Sequence, residues 1–296
     1  ISRILVDPNT AQTVYVGVLV HPYGPSAERG VYKSTDGGAH WTHVLDKGPD
    51  VGVADIAMAA GKPQILFAAT WNAHRPPWST YPPLEGPGNG LYRSTDGGDH
   101  WAQISGHGLP AAGWTRTGVA VGADGQRVYV TINCGTDEES GGGPAVAGCQ
   151  SGLYRSDDGG DNWQMVNGDS RLTSRAWYFM ELAIDPTNPD ILYIPTVALY
   201  RTEDGGKTIQ IVRGAPGGDD YHQIWVDPKD PSHLVLGVDQ GTSVSLDDGK
   251  TWTTWYNQPT AQLYHVITDH KFPYDIFGAQ QDSATIALHS RSDHRH

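Results

Sequence analysis

An eight-residue phrase that occurs five times constrains this chain more than any other feature of its sequence. The phrase fits Ser/Thr-x-Asp-x-Gly-x-x-Trp, and only Ile209 departs from the aromatic last position. Its copies are Ser34–Trp41, Ser94–Trp101, Ser156–Trp163, Thr202–Ile209 and Ser245–Trp252. Each copy lies between two short apolar and aromatic runs. Because Asp hydrogen-bonds amides a few residues further on and Gly supplies positive φ, the phrase predicts a tight turn between two strands.

A second phrase alternates with the first and consists of an apolar run, an Asp-Pro turn and another apolar run. It is clearest at Ile4–Asn9, Leu182–Pro189 and Ile224–Pro231. The two phrases together give four strands per unit, and such repeated units are typical of a β-propeller. We therefore predict an all-β propeller of about six blades, alone or as part of a larger propeller. The predicted blades are 1–46, 51–105, 114–167, 177–213 and 221–256, with 262–289 supplying the first strands of a sixth.

We expect one domain over 1–289 and a disordered or non-native tail over 290–296. In a propeller, the turns joining strands 1 to 2 and strands 3 to 4 of every blade lie on one face, here named the turn face. The remaining connections lie on the opposite face, here named the loop face. The Asp-Pro turns and the repeated phrase therefore share the turn face. We expect the aspartates of the repeated phrase to be structural, namely Asp36, Asp96, Asp158, Asp204 and Asp247. Binding residues are expected on the irregular loops of the other face.

Charge and cysteine content limit the partners and the compartment. A net charge of −13 argues against nucleic acid or an anionic membrane as the main partner, since both need a basic surface. No apolar run approaches the roughly 20 residues that cross a bilayer. Cys134 and Cys149 are only 15 residues apart and two thiols alone make a poor metal site, so we expect a disulfide. A disulfide favours a secreted or periplasmic protein.

The loop face is rich in aromatic and polar side chains, a combination that suits the apolar face and hydroxyl rim of a sugar ring. We expect Trp71, Trp78 and Trp177 to stack on sugars. The other predicted contacts to a polysaccharide or oligosaccharide are Arg75, Arg116, Tyr178, His222 and Gln281.

Sugar hydrolysis needs two carboxyl groups, one protonated and one ionised. Asp220 and Asp282 are the predicted acid and base, with Asp219 as the alternative to Asp220 and Asp239 in reserve. Two plainer interpretations stay open at this point. The Gly-Gly-Asp-Asp run can be only a turn, and Asp282 can cap the Gln-Gln loop.

The same residues include side chains that can act as metal ligands. His222 could bind a metal with Asp219, Asp220 or Asp282, but His and Asp on separate loops usually only hydrogen-bond. Calcium held by oxygen ligands fits better than zinc. The prediction is therefore no catalytic metal and no cofactor, with structural calcium left open.

Several phrases beyond the repeat carry a family resemblance. They are Glu28–Gly38, Ala69–Trp71 with Arg75–Trp78, Gly88–Ser94, His222–Pro228 and Pro259–His265 with Gly278–Asp282. The chain resembles BNR or Asp-box repeat propellers labelled sortilin-like glycosyl hydrolases, related in architecture to the xyloglucan-cleaving enzymes of family 74. The resemblance implies that the repeated phrase lies between the third and fourth strands of each blade. Sialidase activity is disfavoured, because the Arg-Ile-Pro entry motif and a clear Tyr/Glu nucleophile pair are missing.

The residues and the resemblance together predict a glycoside hydrolase that cleaves β-linked polysaccharide. The alternative is a non-catalytic propeller that binds carbohydrate or protein. That alternative keeps the aromatic loops but needs no working pair of carboxyl groups.

Overall fold

A computed structural model of the protein describes residues 1–75, 77, 86–135, 147–215, 218–255, 262–282 and 284–291. Within these ranges the chain forms antiparallel sheets and one short 3-10 helix, Ser170–Leu172, but no α-helix. Four sheets have four strands and two have three. Among the described residues, no helix has the length and apolar character needed to span a bilayer.

Each of the first three sheets is built from four consecutive strands. The first contains β1 (Arg3–Val6), β2 (Val14–Val18), β3 (Gly30–Ser34) and β4 (Thr42–Leu45). The second contains β5 (Gly52–Met58), β6 (Leu66–Trp71), β7 (Gly90–Ser94) and β8 (Ala102–Ile104). The third contains β9 (Gly118–Val121), β10 (Val128–Ile132), β11 (Gly152–Ser156) and β12 (Gln164–Asn167).

The remaining sheets follow the same order along the chain. The fourth contains β13 (Ala183–Ile184), β14 (Leu192–Pro195), β15 (Leu199–Thr202) and β16 (Gln210–Arg213). The fifth contains β17 (Tyr221–Val226), β18 (Leu234–Val238) and β19 (Gly241–Ser245). The sixth contains β20 (Leu263–Thr268), β21 (Asp275–Gln280) and β22 (Thr285–His289).

The sheets pack face to face around their first strands. β5 packs against β1 and β9, and β13 packs against β9 and β17, so these strands surround a common axis. The apolar core accordingly lies between neighbouring sheets, as where Phe67 and Leu91 of the second sheet meet Val128 and Val130 of the third. This arrangement is that of a β-propeller. Within the described residues, each sheet lies inside one predicted blade, and the fifth sheet has three strands where four were expected.

The five repeated turns fold alike. In the first turn, Gly38 N donates to Ser34 Oγ at 2.9 Å and His40 N donates to Asp36 Oδ1 at 2.9 Å. The same two bonds recur in the other copies at 2.8 to 3.0 Å. The fifth copy carries Asp248 where the others have glycine, and Asp248 adopts a left-handed φ of 62° there. The expected structural role of the repeated aspartates is supported by these bonds.

Each repeated turn also bonds to the strand 1 to 2 turn of its own sheet. Gly37 N donates to Gln12 O at 2.8 Å, and Gly159 N donates to Gln126 O at 2.9 Å. Equivalent bonds occur in the second, fourth and fifth sheets. The two kinds of turn therefore share one face, as predicted.

A basic residue at the end of strand 3 ties each of the first four sheets to the next. Lys33 reaches Asp99 at 2.7 Å, and Arg93 reaches Asp161 at 2.7 Å. Arg155 and Arg201 make the corresponding contacts, to Gly205 O at 3.0 Å and to Asp248 at 3.0 Å. Val244 occupies this position in the fifth sheet.

The sixth sheet is the most exposed of the six. Val266 is 55% exposed and Ile267 is 68% exposed.

The predicted disulfide joins Cys134 and Cys149, whose Cα atoms are 5.7 Å apart. It closes the connection between β10 and β11 on the loop face. The Asp-Glu-Glu run inside that connection lies outside the described residues.

Candidate functional site

Four aspartates from three loop-face connections, three of which lie near Tyr178 and the fourth beside Asp220, are here named the carboxylate cluster. Asp219 and Asp220 precede β17, Asp239 follows β18, and Asp282 follows β21. Asp239, Asp220 and Asp282 all lie close enough to the Tyr178 phenol to disfavour its ionisation. Together with burial, which is the larger cause, they raise the pKa of Tyr178 to about 12. Asp220, Asp239 and Asp282 thus all lie in the surroundings of Tyr178, and their catalytic roles stay predictions.

Asp220 is the most buried member of the cluster, at 8% exposed. Arg175 Nη1 donates to Asp220 Oδ1 at 2.9 Å. Burial raises the pKa of Asp220, an effect that outweighs the opposing charge of Arg175. A carboxyl group in this setting retains its proton to higher pH than an exposed one, which is the property of a general acid.

Asp239 is held by its neighbours in the cluster. His222 Nε2 lies 2.7 Å from Asp239 Oδ1, and Tyr178 Oη donates to the same oxygen at 3.4 Å. The His222 ring stands edge-on to Tyr178, with centroids 4.6 Å apart. These contacts fix the orientation of both rings.

Gln240 links the two predicted catalytic loops. Its Oε1 accepts from Asp219 N at 3.1 Å, and its Nε2 donates to the carbonyl oxygen of Asp282. The backbone of the Asp282 loop is held in turn by Gln281 N, which donates to Gln262 O at 2.9 Å. Asp282 itself is exposed at the edge of the site.

Backbone strain is concentrated in this site. In the part of the chain that the structure describes, six non-glycine residues have positive φ, and three of them are Arg175, Asp220 and Asp282, each at 50°. Such conformations cost about 1 to 3 kcal/mol each and persist only where the surroundings hold them. Strain of this kind is frequent at binding and catalytic sites.

Aromatic rings border the carboxylate cluster. Trp177 and Tyr178 are half-buried and stack with centroids 5.0 Å apart at 22°. Together they form an aromatic surface beside the aspartates. A role of these two rings in stacking on sugar stays a prediction.

Trp71 is placed differently from the sequence-based expectation. It is 3% exposed, packs with Ala54 and Ala73, and lies under the Arg116 guanidinium at 5.7 Å. In this structure it is a packing residue rather than an exposed stacking surface. An apolar strand ending in Trp signals either role, so the sequence could not separate them.

Arg116 belongs to a second group of charges near the propeller axis, which we name the axial ion network: Arg3, Asp55, Arg116 and Glu181. Arg3 lies 3.2 Å from Glu181 and 3.7 Å from Asp55, and Arg116 lies 3.5 Å from Glu181. The network connects the first strands of the first and second sheets to the segments that precede the third and fourth. Sequence reasoning missed Arg3, Asp55 and Glu181, although an aspartate inside the apolar strand Gly52–Met58 was an available signal.

Asp55 is the most deeply buried carboxyl group of the network, at 2% exposed. Val119 N donates to Asp55 Oδ2 at 3.1 Å. Burial, and then the nearby charge of Glu181, raise the pKa of Asp55 to about 7, against the opposing effect of Arg3. Burial therefore favours the protonated form of Asp55.

Two other predicted contacts lie apart from the cluster. Arg75 N donates to Pro22 O, at the loop that follows β2. Trp78 lies outside the described residues. A cavity of about 400 Å³ lies between Gly86–Gly90 and Pro110–Trp114, but it contains none of the predicted site residues.

Within the described ranges, no three His, Cys, Asp or Glu side chains converge as metal ligands. His222 and Asp239 instead pair with each other.

Comparison with known proteins relates this chain to xyloglucanases. A Paenibacillus xyloglucanase is 25% identical over 222 residues, covering 70% of this chain and 20% of the relative. A xyloglucanase of Hypocrea jecorina is 23% identical over an alignment of 319 positions, covering 93% of this chain and 35% of the relative. No protein-family model matches the chain.

Among solved structures, the GH74 enzyme of Niastella koreensis superposes with a TM-score of 0.62 at 16% identity, covering 97% of this chain and 42% of that one. The fold is a GH74-like β-propeller. The chain spans only about a fifth to two fifths of the length of these relatives.

Proposed function

We propose that this protein is a glycoside hydrolase that cleaves a β-linked polysaccharide of the xyloglucan type at the carboxylate cluster. The observation that supports the proposal is a buried aspartate, Asp220, near the half-buried rings of Trp177 and Tyr178. Burial raises the pKa of Asp220, and Gln240 holds its loop next to that of Asp282. The relatives named xyloglucanases supply the substrate class.

In the proposed mechanism, Asp220 donates a proton to the leaving glycosidic oxygen and Asp282 acts as the base or nucleophile. Asp219 is the alternative acid. Trp177 and Tyr178 stack on the sugar, while His222 and Gln281 line the site. Arg75 and Trp78 are proposed as further sugar contacts on the basis of the sequence. Hydrolysis of this type requires the two carboxyl groups to lie about 5 to 10 Å apart across the bond.

Several finer assignments belong to the same proposal. The repeated turns are Asp-boxes of the BNR type, the propeller has six blades within this chain, and the family is sortilin-like. The protein is secreted or periplasmic, in keeping with its disulfide.

A panel of β-linked polysaccharides that includes xyloglucan tests the proposal through the release of reducing ends. We expect release by the wild type and a loss of about 100-fold or more in Asp220→Asn and Asp282→Asn. Both variants should retain the wild-type circular dichroism spectrum. Retention of full activity in both variants would show that the cleaving groups lie elsewhere.

The second candidate is a propeller that binds polysaccharide without cleaving it. It is favoured by the ion pairs that already hold two of the aspartates, Asp220 with Arg175 and Asp239 with His222. Saturable binding of xyloglucan without any release of reducing ends would select this candidate.

A further inference from the structure

Arg116 connects the axial ion network to the aromatic surface of the candidate site. Its Nη1 donates to the carbonyl oxygen of Trp177 at 3.2 Å and to that of Tyr178 at 2.8 Å. Its Nη2 lies 3.5 Å from Glu181 Oε1. One planar guanidinium therefore contacts both ends of the segment 177–181.

The same segment is held from other directions as well. Arg3 donates to Glu181 Oε2 at 3.2 Å, and Thr131 Oγ1 donates to Met180 O at 3.4 Å. The first residue of β9 is Gly118, where an added Cβ would lie only 1.4 Å from Met180 O. The backbone of the segment is thus fixed by the first and third sheets.

The side chains of Trp177 and Tyr178 contribute to the candidate site. Tyr178 Oη donates to Asp239, its ring contacts His222, and Trp177 stacks on it. A shift of this backbone would therefore move the aromatic surface relative to the aspartates. Shifts of about 1 Å are enough to affect function strongly.

We propose that Arg116 and Glu181 are positioning residues that hold Trp177 and Tyr178 in the orientation that binds sugar. Arg116 acts through the two backbone carbonyls and needs no contact with the sugar. The consequence for sugar binding rests on the proposed function, whereas the positioning itself does not. Lysine cannot replace Arg116. Its single ammonium group lacks the two fixed Nη groups with which a guanidinium binds the carbonyl oxygens and the carboxylate at the same time.

Two variants test the proposal, Arg116→Lys and the milder Glu181→Gln. The matched control is Arg201→Lys, since Arg201 also lies over an aromatic ring and pairs with an aspartate, but on the turn face. Thermal unfolding of all three is followed on the same samples, so that a general loss of folding is recognised. If Arg116→Lys does not fold, Glu181→Gln alone tests whether the network positions Trp177 and Tyr178.

The first readout needs no ligand. The near-ultraviolet circular dichroism of the stacked Trp177 and Tyr178 is isolated as a difference spectrum. For wild type and for each variant, the spectrum of the same protein carrying Trp177→Phe is subtracted. We expect this difference band to collapse in Arg116→Lys and weaken in Glu181→Gln, and to persist in Arg201→Lys. An unchanged band in both network variants overturns the proposal.

The second readout is affinity for a xyloglucan oligosaccharide by calorimetry. We expect the Kd to rise by about tenfold or more in Arg116→Lys and to stay at the wild-type value in Arg201→Lys. Equal Kd values in wild type and Arg116→Lys contradict a positioning role in binding. If the wild type binds no oligosaccharide, the proposed function fails, while the spectroscopic comparison still decides whether the segment is positioned by Arg116.

Discussion

Aspartates occur on both faces of this propeller, but their surroundings differ. On the turn face, the side chain and backbone N–H of Asn162 donate to Asp158, and these bonds lower its pKa. On the loop face, burial raises the pKa of Asp220. Hydrogen bonds from a turn stabilise the charged carboxylate and make it structural, whereas burial favours the protonated form that an acid catalyst needs. Asp158 of the repeat and Asp220 of the loop face therefore favour opposite charge states, although they are the same residue type.

The largest expected effect is on the pH dependence of stability, through Asp55. Its folded-state pKa lies near 7, above the ordinary 3.8, so the folded protein keeps a proton that the unfolded chain loses. Stability should therefore fall as pH rises from about 4 to about 7, by about 2 to 4 kcal/mol from this group. Asp55→Asn should remove that part of the slope in urea unfolding measured at several pH values. Parallel curves for wild type and variant would contradict this explanation.

Removal of the disulfide should lower stability by an amount in the middle of that range. Cys134 and Cys149 close a 15-residue loop, which corresponds to about 3 kcal/mol in the chain-entropy model. The double variant Cys134→Ser/Cys149→Ser should lower the free energy of unfolding by that amount. Since the loop is on the loop face, the repeated turns should keep their amide protection in hydrogen exchange.

A single turn of the repeat should matter less than the disulfide. Ser94 Oγ is buried and accepts from Gly98 N at 2.8 Å while donating to Asp96. Ser94→Ala leaves both partners without this bond and should lower stability by about 1 to 2 kcal/mol. Activity on polysaccharide should not change. A loss of activity in a fully folded variant would contradict the assignment of a structural role to the turn face and of cleavage to the loop face.

The smallest effect is expected for the ties between neighbouring turns. Arg93 is partly exposed and pairs with Asp161, which is 62% exposed. Arg93→Ala should therefore cost less than about 1 kcal/mol, and the cost should shrink at high salt. A cost that is large and insensitive to salt would mean that packing of the Arg93 side chain matters more than its charge.

Sequence reasoning predicted the repeated parts of the molecule well and the unrepeated parts less well. The five turns, their shared face and the sheet boundaries follow from local chemistry, because Ser, Asp and Gly act within a few residues of each other. The gathering of Asp220, Asp239 and Asp282 was expected only because propeller topology assigns their loops to one face.

Other features depend on contacts between distant parts of the chain. Trp71 was expected to be exposed, but it packs with Ala54 and Ala73 under the Arg116 guanidinium, which is 45 residues away in the sequence. The pairing of Arg3 with Glu181 joins residues 178 positions apart, and local pattern cannot reveal such a contact. The same holds for the two carbonyls bound by Arg116.

The central claim is that cleavage depends on a buried aspartate of the loop face and not on an aspartate of the repeat. It is tested most directly by measuring reducing-end release from xyloglucan by wild type, Asp220→Asn and Asp158→Asn at equal folded concentration. The account predicts activity in wild type and Asp158→Asn, and a loss of about 100-fold or more in Asp220→Asn. Equal activity in wild type and Asp220→Asn, or loss of activity in a folded Asp158→Asn, would contradict it.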